Sequence, residues 1–151
     1  MTVQTNASTS IAVSVAAPAT HDAAGFNALT FTAIGEIVST GEKGGAAALV
    51  THSPLDTRTV AKFKGSVNYG SYAISLALDL ADAGQILLDS LAIGASIDVV
   101  ASFEETKQDG SKEFYRAIVM TYTRVGGTID AIIGSNATLE ITDSIVDVAA
   151  P

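Results

Sequence analysis

Cysteine and tryptophan are absent from this chain, and charged residues make up only 16% of its 151 residues, against roughly 25% in typical soluble domains. The absence of cysteine excludes disulfides, thiol nucleophiles and cysteine-ligated metal sites. No run approaches the ~18 apolar residues of a membrane-spanning helix, and the first residues lack the basic segment of a secretory signal. We therefore expect one soluble domain, 1–151, without membrane insertion.

Positive charge is also scarce, with 8 Lys and Arg against 16 Asp and Glu and a formal net charge of −8. This balance argues against tight, sequence-independent DNA binding, which needs clustered cations to neutralise phosphates. Low charge combined with 48% hydrophobic residues instead favours self-association, which buries apolar surface between copies.

Alternation of apolar and polar residues with a period of two dominates the chain and predicts strands. "SIDVVASFE" and "KEFYRAIVMTYTR" flank an Asp109-Gly110 turn signal and predict a hairpin. The alternation predicts apolar faces of Ile97, Val99, Ala101 and Phe103 in the first strand and Phe114, Ile118, Met120 and Tyr122 in the second.

Further strands are predicted at "SIAVSVAA", "LTFTAIGEIV", "GSVNYGSYAISLALDL" and "SNATLEITDSIVDV". Their predicted apolar faces include Tyr72, Ile74, Leu76 and Leu78 in the third of these and Ala137, Leu139 and Ile141 in the fourth. Gly70 interrupts the alternation and predicts a bulge or bend.

One helix stands out at "LADAGQILLDSLAIG", with Asp79 or Asp82 at its start and Gly94 at its end. Its predicted apolar face contains Ala83, Ile86, Leu87 and Leu91, and a shorter helical turn can follow Asp22. The predicted fold is therefore mainly β, with antiparallel strands and one short α-helix packed beside the sheets.

No pattern indicates catalysis or a cofactor. His21 and His52 are isolated, so no metal site is predicted, and "TGEKGG" has its lysine in the wrong place for a phosphate loop. Glu104 and Glu105 stand at a strand end beside a turn, where we expect solvated acids. We therefore predict no catalytic, cofactor-binding or metal-binding residue and no enzymatic activity.

The window Gly41–Gly65 holds half of the basic residues: Lys43, Arg58, Lys62 and Lys64. Arg58, Lys62 and Lys64 share a parity in an extended chain and predict a small basic edge. One interpretation is a solvated edge strand in which lysines prevent unwanted pairing. The other is a basic arm that docks on an acidic partner, for which another copy of this acidic chain is the best candidate.

The succession of segments over about 20–148 resembles the tail tube (major tail) proteins of lambda-like, long-tailed bacteriophages. The resemblance lies in "HDAAGFNALTFTAIGEIVSTGEKGGAAALVTHSPLDTRTVAKFKGSVNYGS", then "LDLADAGQILL", then "DGSKEFYRAIVMTYTRVGGTIDAIIGSNATLEITDSIVDV". No single motif in it is a catalytic signature, and the ordered succession is its specific part.

The resemblance implies a β-sandwich or barrel-like subunit that joins in six-fold rings, which stack into a hollow tube. It implies a tape-measure protein, a tail terminator and tail-tip proteins as partners, DNA that passes through the lumen without specific binding, and a virion tail assembled in the host bacterial cytoplasm. An N-terminal arm of about 1–20 and a long inter-subunit loop of about 41–65 are expected. Candidate docking residues are Lys43, His52, Arg58, Lys62 and Lys64.

Acidic residues suit a lumen that must not retain phosphate backbones, and alternation makes Asp98, Glu104 and Glu140 the candidates for its wall. Two alternatives stay open: a tube protein of a contractile tail or secretion system, and a small virion decoration or binding β-domain. The second would need an exposed aromatic cluster, whereas the five Phe and four Tyr fall mostly at core parity.

Overall fold

Alternating strands make up most of the fold in the computed structural model, which describes residues 3–94 and 99–151. The described residues form ten strands and two short helices. In chain order these are β1 (Ser10–Ser14), α1 (Ala23–Asn27), β2 (Thr32–Ile34), β3 (Ile37–Thr40), β4 (Ala46–His52), β5 (Ala61–Asn68), β6 (Ser71–Ala77), α2 (Ala83–Ile93), β7 (Val100–Thr106), β8 (Lys112–Val125), β9 (Gly134–Ile141) and β10 (Val146–Val148).

The main sheet has the strand order β2-β1-β7-β8-β9-β6-β3, and β10 pairs with the first residues of β8. All of its pairings are antiparallel. Its two outer strands, β2 and β3, are consecutive in the chain and are joined only by Gly35 and Glu36, and Glu36 takes a positive φ of 60° at this corner. Because both edges of the sheet meet at one short connection, the sheet curves round on itself, which confirms the predicted mainly β, barrel-like class.

The inner face of the curved sheet forms the hydrophobic core, and alternation predicted much of it. The predicted core positions of β6 and β9 are confirmed: Tyr72, Ile74, Leu76, Ala137, Leu139 and Ile141 are all buried. The predicted face of β8 is wrong for most of its length, because its core residues are Tyr115, Ala117, Val119 and Tyr122. A register shift between Val119 and Thr121 inserts Met120 as an extra residue, and the parity of the strand changes there.

Helix α2 begins and ends as predicted. Its predicted apolar face is confirmed in part, because Leu87 and Leu91 are partly buried against the core, but the fully buried residues lie on another side. Asp82 is its N-cap and accepts a hydrogen bond from the Gln85 amide, and Gly94 is its C-cap. The buried residues are Gly84, Gln85 and Leu88, whereas Ile86 is 55% exposed. Gly84 permits this packing, because a Cβ there would lie 2.3 Å from the Ala33 carbonyl oxygen.

Gln85 ties α2 to the corner between β2 and β3. Its side-chain amide donates to the carbonyl oxygens of Gly35 (3.1 Å) and Ala77 (2.9 Å), and its side-chain oxygen accepts from the Tyr122 hydroxyl. These bonds satisfy a buried polar group, and such groups are tolerated in a core only when they are paired.

The helical turn expected after Asp22 is α1, so the fold has two short helices rather than one. Asp22 accepts a hydrogen bond from the Gly25 amide at 2.8 Å, and Phe26 of α1 stacks on Phe114 on the outer face of the sheet. Across residues 3–94 and 99–151, neither helix has the length and apolar character that crossing a bilayer requires.

The segment expected to be a long loop over 41–65 is mostly a β-hairpin, formed by β4 and β5. It continues the ribbon of β3 and β6 beyond the main sheet. The ribbon bends where Gly70, with a φ of 87°, approaches Gly44 so closely that a Cβ on Gly70 would lie 2.5 Å from the Gly44 carbonyl oxygen. The bend predicted at Gly70 is therefore confirmed, and glycine is required there by both space and φ.

Candidate assembly surface

The β4–β5 hairpin projects from the main sheet and forms a separate two-stranded sheet. Among the described residues it has no extensive contact with any other strand or helix. Its register pairs Val50 with Phe63 and Thr51 with Lys62, so alternation gives the hairpin two different faces. An apolar face carries Val50 and Phe63, which are 48% and 57% exposed. Because the register shifts between Ala47 and Leu49, Val67 opposite Ala47 and Leu49 opposite Lys64 lie on the other face.

The other face of the hairpin is basic. Lys62 and Lys64 lie side by side on it, and both are exposed. Arg58 is exposed in the tip between β4 and β5, so it extends this basic surface from the tip rather than from the predicted strand edge. No carboxylate within the described ranges lies within 4 Å of these three cations.

Charge separates the hairpin from the rest of the chain. Residues 46–68 contain three basic residues and one acid, a net charge of +2, which leaves −10 for the remainder of a chain whose total is −8. His52, another predicted docking residue, is exposed at the end of β4 opposite Ala61. The hairpin therefore offers exposed positive charge and exposed apolar side chains together.

Lys43 differs from the other predicted docking residues because its charge is used inside the subunit. Its side chain is only 11% exposed, and its ammonium group lies 3.0 Å from Glu105 and 2.6 Å from Glu113. It also lies 4.7 Å from the centre of the Tyr72 ring, within cation–π range. Lys43 thus lies at the root of the hairpin as an internal anchor, and its docking role stays a prediction.

Glu105, expected to be a solvated acid, is the centre of this buried cluster. Its side chain is 1% exposed and binds the ammonium groups of Lys43 and Lys107, and it accepts a hydrogen bond from the Tyr72 hydroxyl at 3.0 Å. The alternation of β7 could have predicted this burial, because Glu105 continues the parity of Ala101 and Phe103, which form the apolar face.

The cluster changes the acidity of its members. Burial alone would raise the pKa of Glu105, but the ammonium groups of Lys107 and Lys43 outweigh it and hold this pKa below its ordinary value. Burial likewise would lower the pKa of Lys43, but Glu113 and Glu105 raise it above the usual 10.5. Burial, reinforced by the charge of Glu105, raises the pKa of Tyr72 to about 12. All three groups therefore keep their neutral-pH charge states.

The outer face of the sheet is covered by α1 at one end and is uncovered across β6, β9 and the second half of β8. Glu140 belongs to the uncovered part and accepts a hydrogen bond from the Ser71 hydroxyl. Its other side chains are uncharged. They are small or polar at Ala73, Ser75, Asn136, Thr138, Thr121 and Thr123, and larger and apolar at the exposed Met120 and Val125.

The other two lumen candidates are placed differently. Glu104 lies opposite Phe114, which packs under Phe26, and its carboxylate pairs with Lys112 at 3.5 Å. It therefore belongs to the covered end of the sheet. Asp98 lies outside the described residues. Glu140 is thus the candidate that the fold leaves on an uncovered sheet face.

Within 3–94 and 99–151, no three His, Asp or Glu side chains come together in a way that could hold a metal ion. His21 is used structurally, since its Nε2 lies 2.8 Å from the Ser144 carbonyl oxygen and its ring contacts Phe26 edge-on. The described surface is therefore suited to association, because an exposed basic and apolar hairpin projects from an otherwise acidic subunit.

Comparison with family models finds no match, and comparison with curated proteins finds none either. Solved structures do match. The tail of an empty gene transfer agent particle, determined with C6 symmetry, superposes with a TM-score of 0.66 at 12% identity, covering 97% of this chain and 100% of that one. The tail tube of SPP1 gives 0.60 at 13% identity, covering 92% and 75%.

Contractile systems are matched equally well. The sheath/tube terminator of the extracellular contractile injection system PVC gives a TM-score of 0.65 at 10% identity and covers 99% of both chains. At these identities the likeness concerns the fold. The chain has the fold of tail tube proteins.

Proposed function

We propose that this chain is a structural virion protein that polymerises, as stacked hexameric rings, into the hollow tube of a long non-contractile phage tail. The projecting hairpin carries this proposal, because a folded subunit that leaves Phe63, Val50 and two lysines exposed on a two-stranded ribbon presents a surface suited to another molecule. The most abundant acidic surface available to it is a second copy of the chain. The C6 symmetry of the matched gene transfer agent tail supports six subunits in a ring.

The proposed tube conducts DNA during ejection without binding it specifically. Its wall would be the uncovered face of β6, β9 and β8, where hydroxyl, amide and methyl groups accompany one carboxylate, Glu140. Among the described residues, such a face carries no cation that could pair with phosphates and retard the DNA. Further partners would be a tape-measure protein inside the tube and terminator and tip proteins at its ends. The site of action is the virion tail, assembled in the host cytoplasm, and no catalytic activity is proposed.

Electron microscopy of the purified protein over a range of concentrations and salt tests this proposal. We expect rings or hollow tubes of uniform width with six-fold averages. A chain that remains monomeric at high concentration at every salt concentration would contradict the proposal.

Charge reversal on the hairpin tests its part in assembly. We expect Arg58→Glu, Lys62→Glu and Lys64→Glu together to abolish tube growth while the unfolding midpoint of the monomer stays unchanged, because all three side chains are exposed. The matched control keeps every charge, with Arg58→Lys, Lys62→Arg and Lys64→Arg. Normal tubes from the reversed variant would show that these cations do not dock.

A second candidate is the inner tube of a contractile system, favoured by the PVC terminator and by the anti-feeding prophage baseplate, which superposes with a TM-score of 0.66 at 9% identity. Imaging of particles labelled with an antibody against this chain separates the two. A thicker sheath that shortens and exposes the labelled tube would favour the contractile candidate, and a bare labelled tail would favour the first.

A further inference from the structure

The hairpin and helix α2 lie at opposite ends of β6. The hairpin leaves the sheet at the Ser71 end of that strand, and α2 follows its other end, where Gln85 binds the Ala77 carbonyl oxygen. Seven residues of strand separate the two ends by roughly 20 Å. The hairpin of one copy therefore points away from the α2 of the same copy, and the two do not pack on each other.

A groove beside the start of α2 presents both apolar and acidic side chains. These are the two kinds of partner that the exposed apolar and basic side chains of the hairpin lack. It has a volume of about 90 Å³ and is lined by apolar Leu78, Leu80 and Ile86, by acidic Asp79 and Asp89, and by Gln85, Tyr122 and Arg124. Leu80 and Ile86 are 68% and 55% exposed. Residues 79–94 contain three aspartates and no basic residue, so this end of the subunit is acidic.

The groove's carboxylates are accessible to an incoming cation. Asp89 makes one contact with Arg124 at 3.8 Å, with both side chains about half exposed, and such surface pairs are weak and exchangeable. Asp79 accepts a hydrogen bond from the amide of Ala81 through Oδ1, and it is exposed.

Two larger grooves fit the hairpin less well. One of about 310 Å³ has Val38, Val125 and Ile132 in its lining but no charged side chain. It could receive apolar groups of the hairpin but would leave Lys62 and Lys64 without partners. The groove beside Gly44 and Gly70 has Glu42 and Lys43 in its lining, and it lies at the root of the hairpin itself.

We propose that the β4–β5 hairpin of one copy docks into the Asp79, Ile86 and Asp89 groove of the next copy, so that subunits join head to tail. This inference rests on the proposed tube function and specifies its contact. Leu49 and Val67, which share the face of the two lysines, meet Leu80 and Ile86. Lys62 and Lys64 meet the two aspartates. Because donor and acceptor lie at opposite ends of the subunit, each contact leaves one free hairpin and one free groove. A heterologous contact closes into a ring when its rotation closes and extends without limit when it does not, and between stacked rings it gives a tube its direction.

A charge-swap experiment tests the pairing. We expect Lys62→Glu with Lys64→Glu, and separately Asp79→Lys with Asp89→Lys, to raise the critical concentration for tube growth at least about tenfold, since like charges then face each other. The four-residue swap should restore growth to within about threefold of the parent chain. A swap that restores nothing, while the parent chain forms tubes and both double variants fold, would overturn the inference and leave the tube function standing. A parent chain that forms no tubes would count against the tube function itself.

Disulfide trapping gives an independent measurement, because the chain contains no cysteine. Thr51 faces the same side of the hairpin as Lys62, its cross-strand partner, and Ala83 is exposed at the start of α2. Tubes carrying both Thr51→Cys and Ala83→Cys should oxidise to ladders of covalent multimers. The control pair Thr51→Cys and Thr142→Cys, whose second residue is also exposed but outside the groove, should not. Multimers from the control alone would place the docking contact elsewhere.

Discussion

Loss of the Lys43 ammonium group should destabilise the subunit far more than loss of any ammonium group on the hairpin. Lys43→Met keeps most of the side-chain volume but leaves Glu105, 1% exposed, with one fewer cation. Removing one partner of a buried ion pair costs about 3–5 kcal/mol. Glu105 keeps Lys107 and the Tyr72 hydroxyl, so we expect the lower end of that range, about 3 kcal/mol.

Urea unfolding of the monomer, below the concentration at which it assembles, measures this loss. Lys62→Met is the matched control, because it removes an exposed ammonium group from the same ribbon, and it should change stability by less than about 0.5 kcal/mol. If Lys43→Met and Lys62→Met had equal effects, Lys43 would not be acting as a buried anchor, and the ion-pair cluster would have to be abandoned as a stabilising feature.

Two further predictions concern the same cluster. The stabilising contribution of Glu105 should be fully present above the ordinary carboxyl pKa of 4.5 and should fall as pH drops through its lowered pKa. Urea midpoints measured down to about pH 3 should show this loss. Glu105→Gln should reduce the part of the stability that depends on acid. Tyr72→Phe should cost about 1–2 kcal/mol, because it removes a hydrogen bond to a charged, buried group. Tyr115→Phe should be neutral or stabilising, because the buried Tyr115 hydroxyl has no hydrogen-bond partner among the described residues. A larger loss of stability in Tyr115→Phe than in Tyr72→Phe would refute the assigned hydrogen bonds.

Simple alternation was enough to predict the strands whose one face is buried along their whole length. In β6 and β9 every second residue enters the core, and the predicted faces with Tyr72 and Leu139 are the observed ones. The Asp109-Gly110 turn also follows local chemistry, since Gly110 has a φ of 90°, which glycine adopts without strain. Features set by neighbouring residues were therefore accessible from the sequence.

Features set by distant residues were not accessible. The extra residue Met120 in β8 is defined by pairing with β9, and no local signal marks it. The buried side of α2 depends on Gly84 meeting β2 and on Gln85 bonding to Gly35 and Ala77. An amide at the centre of a buried face contradicts the hydrophobic pattern unless its partners are known.

The candidate site likewise has features that the sequence could predict and features that depend on distant residues. The basic character of Lys62 and Lys64 and their shared face follow from strand parity, and the register of β4 with β5 places them so. The inward use of Lys43 required knowledge that Glu105 and Glu113, more than sixty residues away in the chain, lie at the root of the hairpin. Residue type alone grouped Lys43 with the exposed cations of its window.

Lys43, the internal anchor, links the stability of the subunit to its assembly, and experiment can separate the two effects. Among the described residues the hairpin has no extensive contact with another strand or helix. Its root holds the close approach of Gly44 and Gly70 and the buried ion pairs of Lys43, which are therefore the features that can fix its direction. Replacing a buried ion pair with apolar residues of similar volume is often neutral or stabilising. We therefore expect Lys43→Met combined with Glu105→Leu to recover much of the stability that Lys43→Met loses. If the ion pair fixes the direction of the hairpin, this double variant should still polymerise poorly, because the cations of the hairpin no longer point steadily at the next subunit.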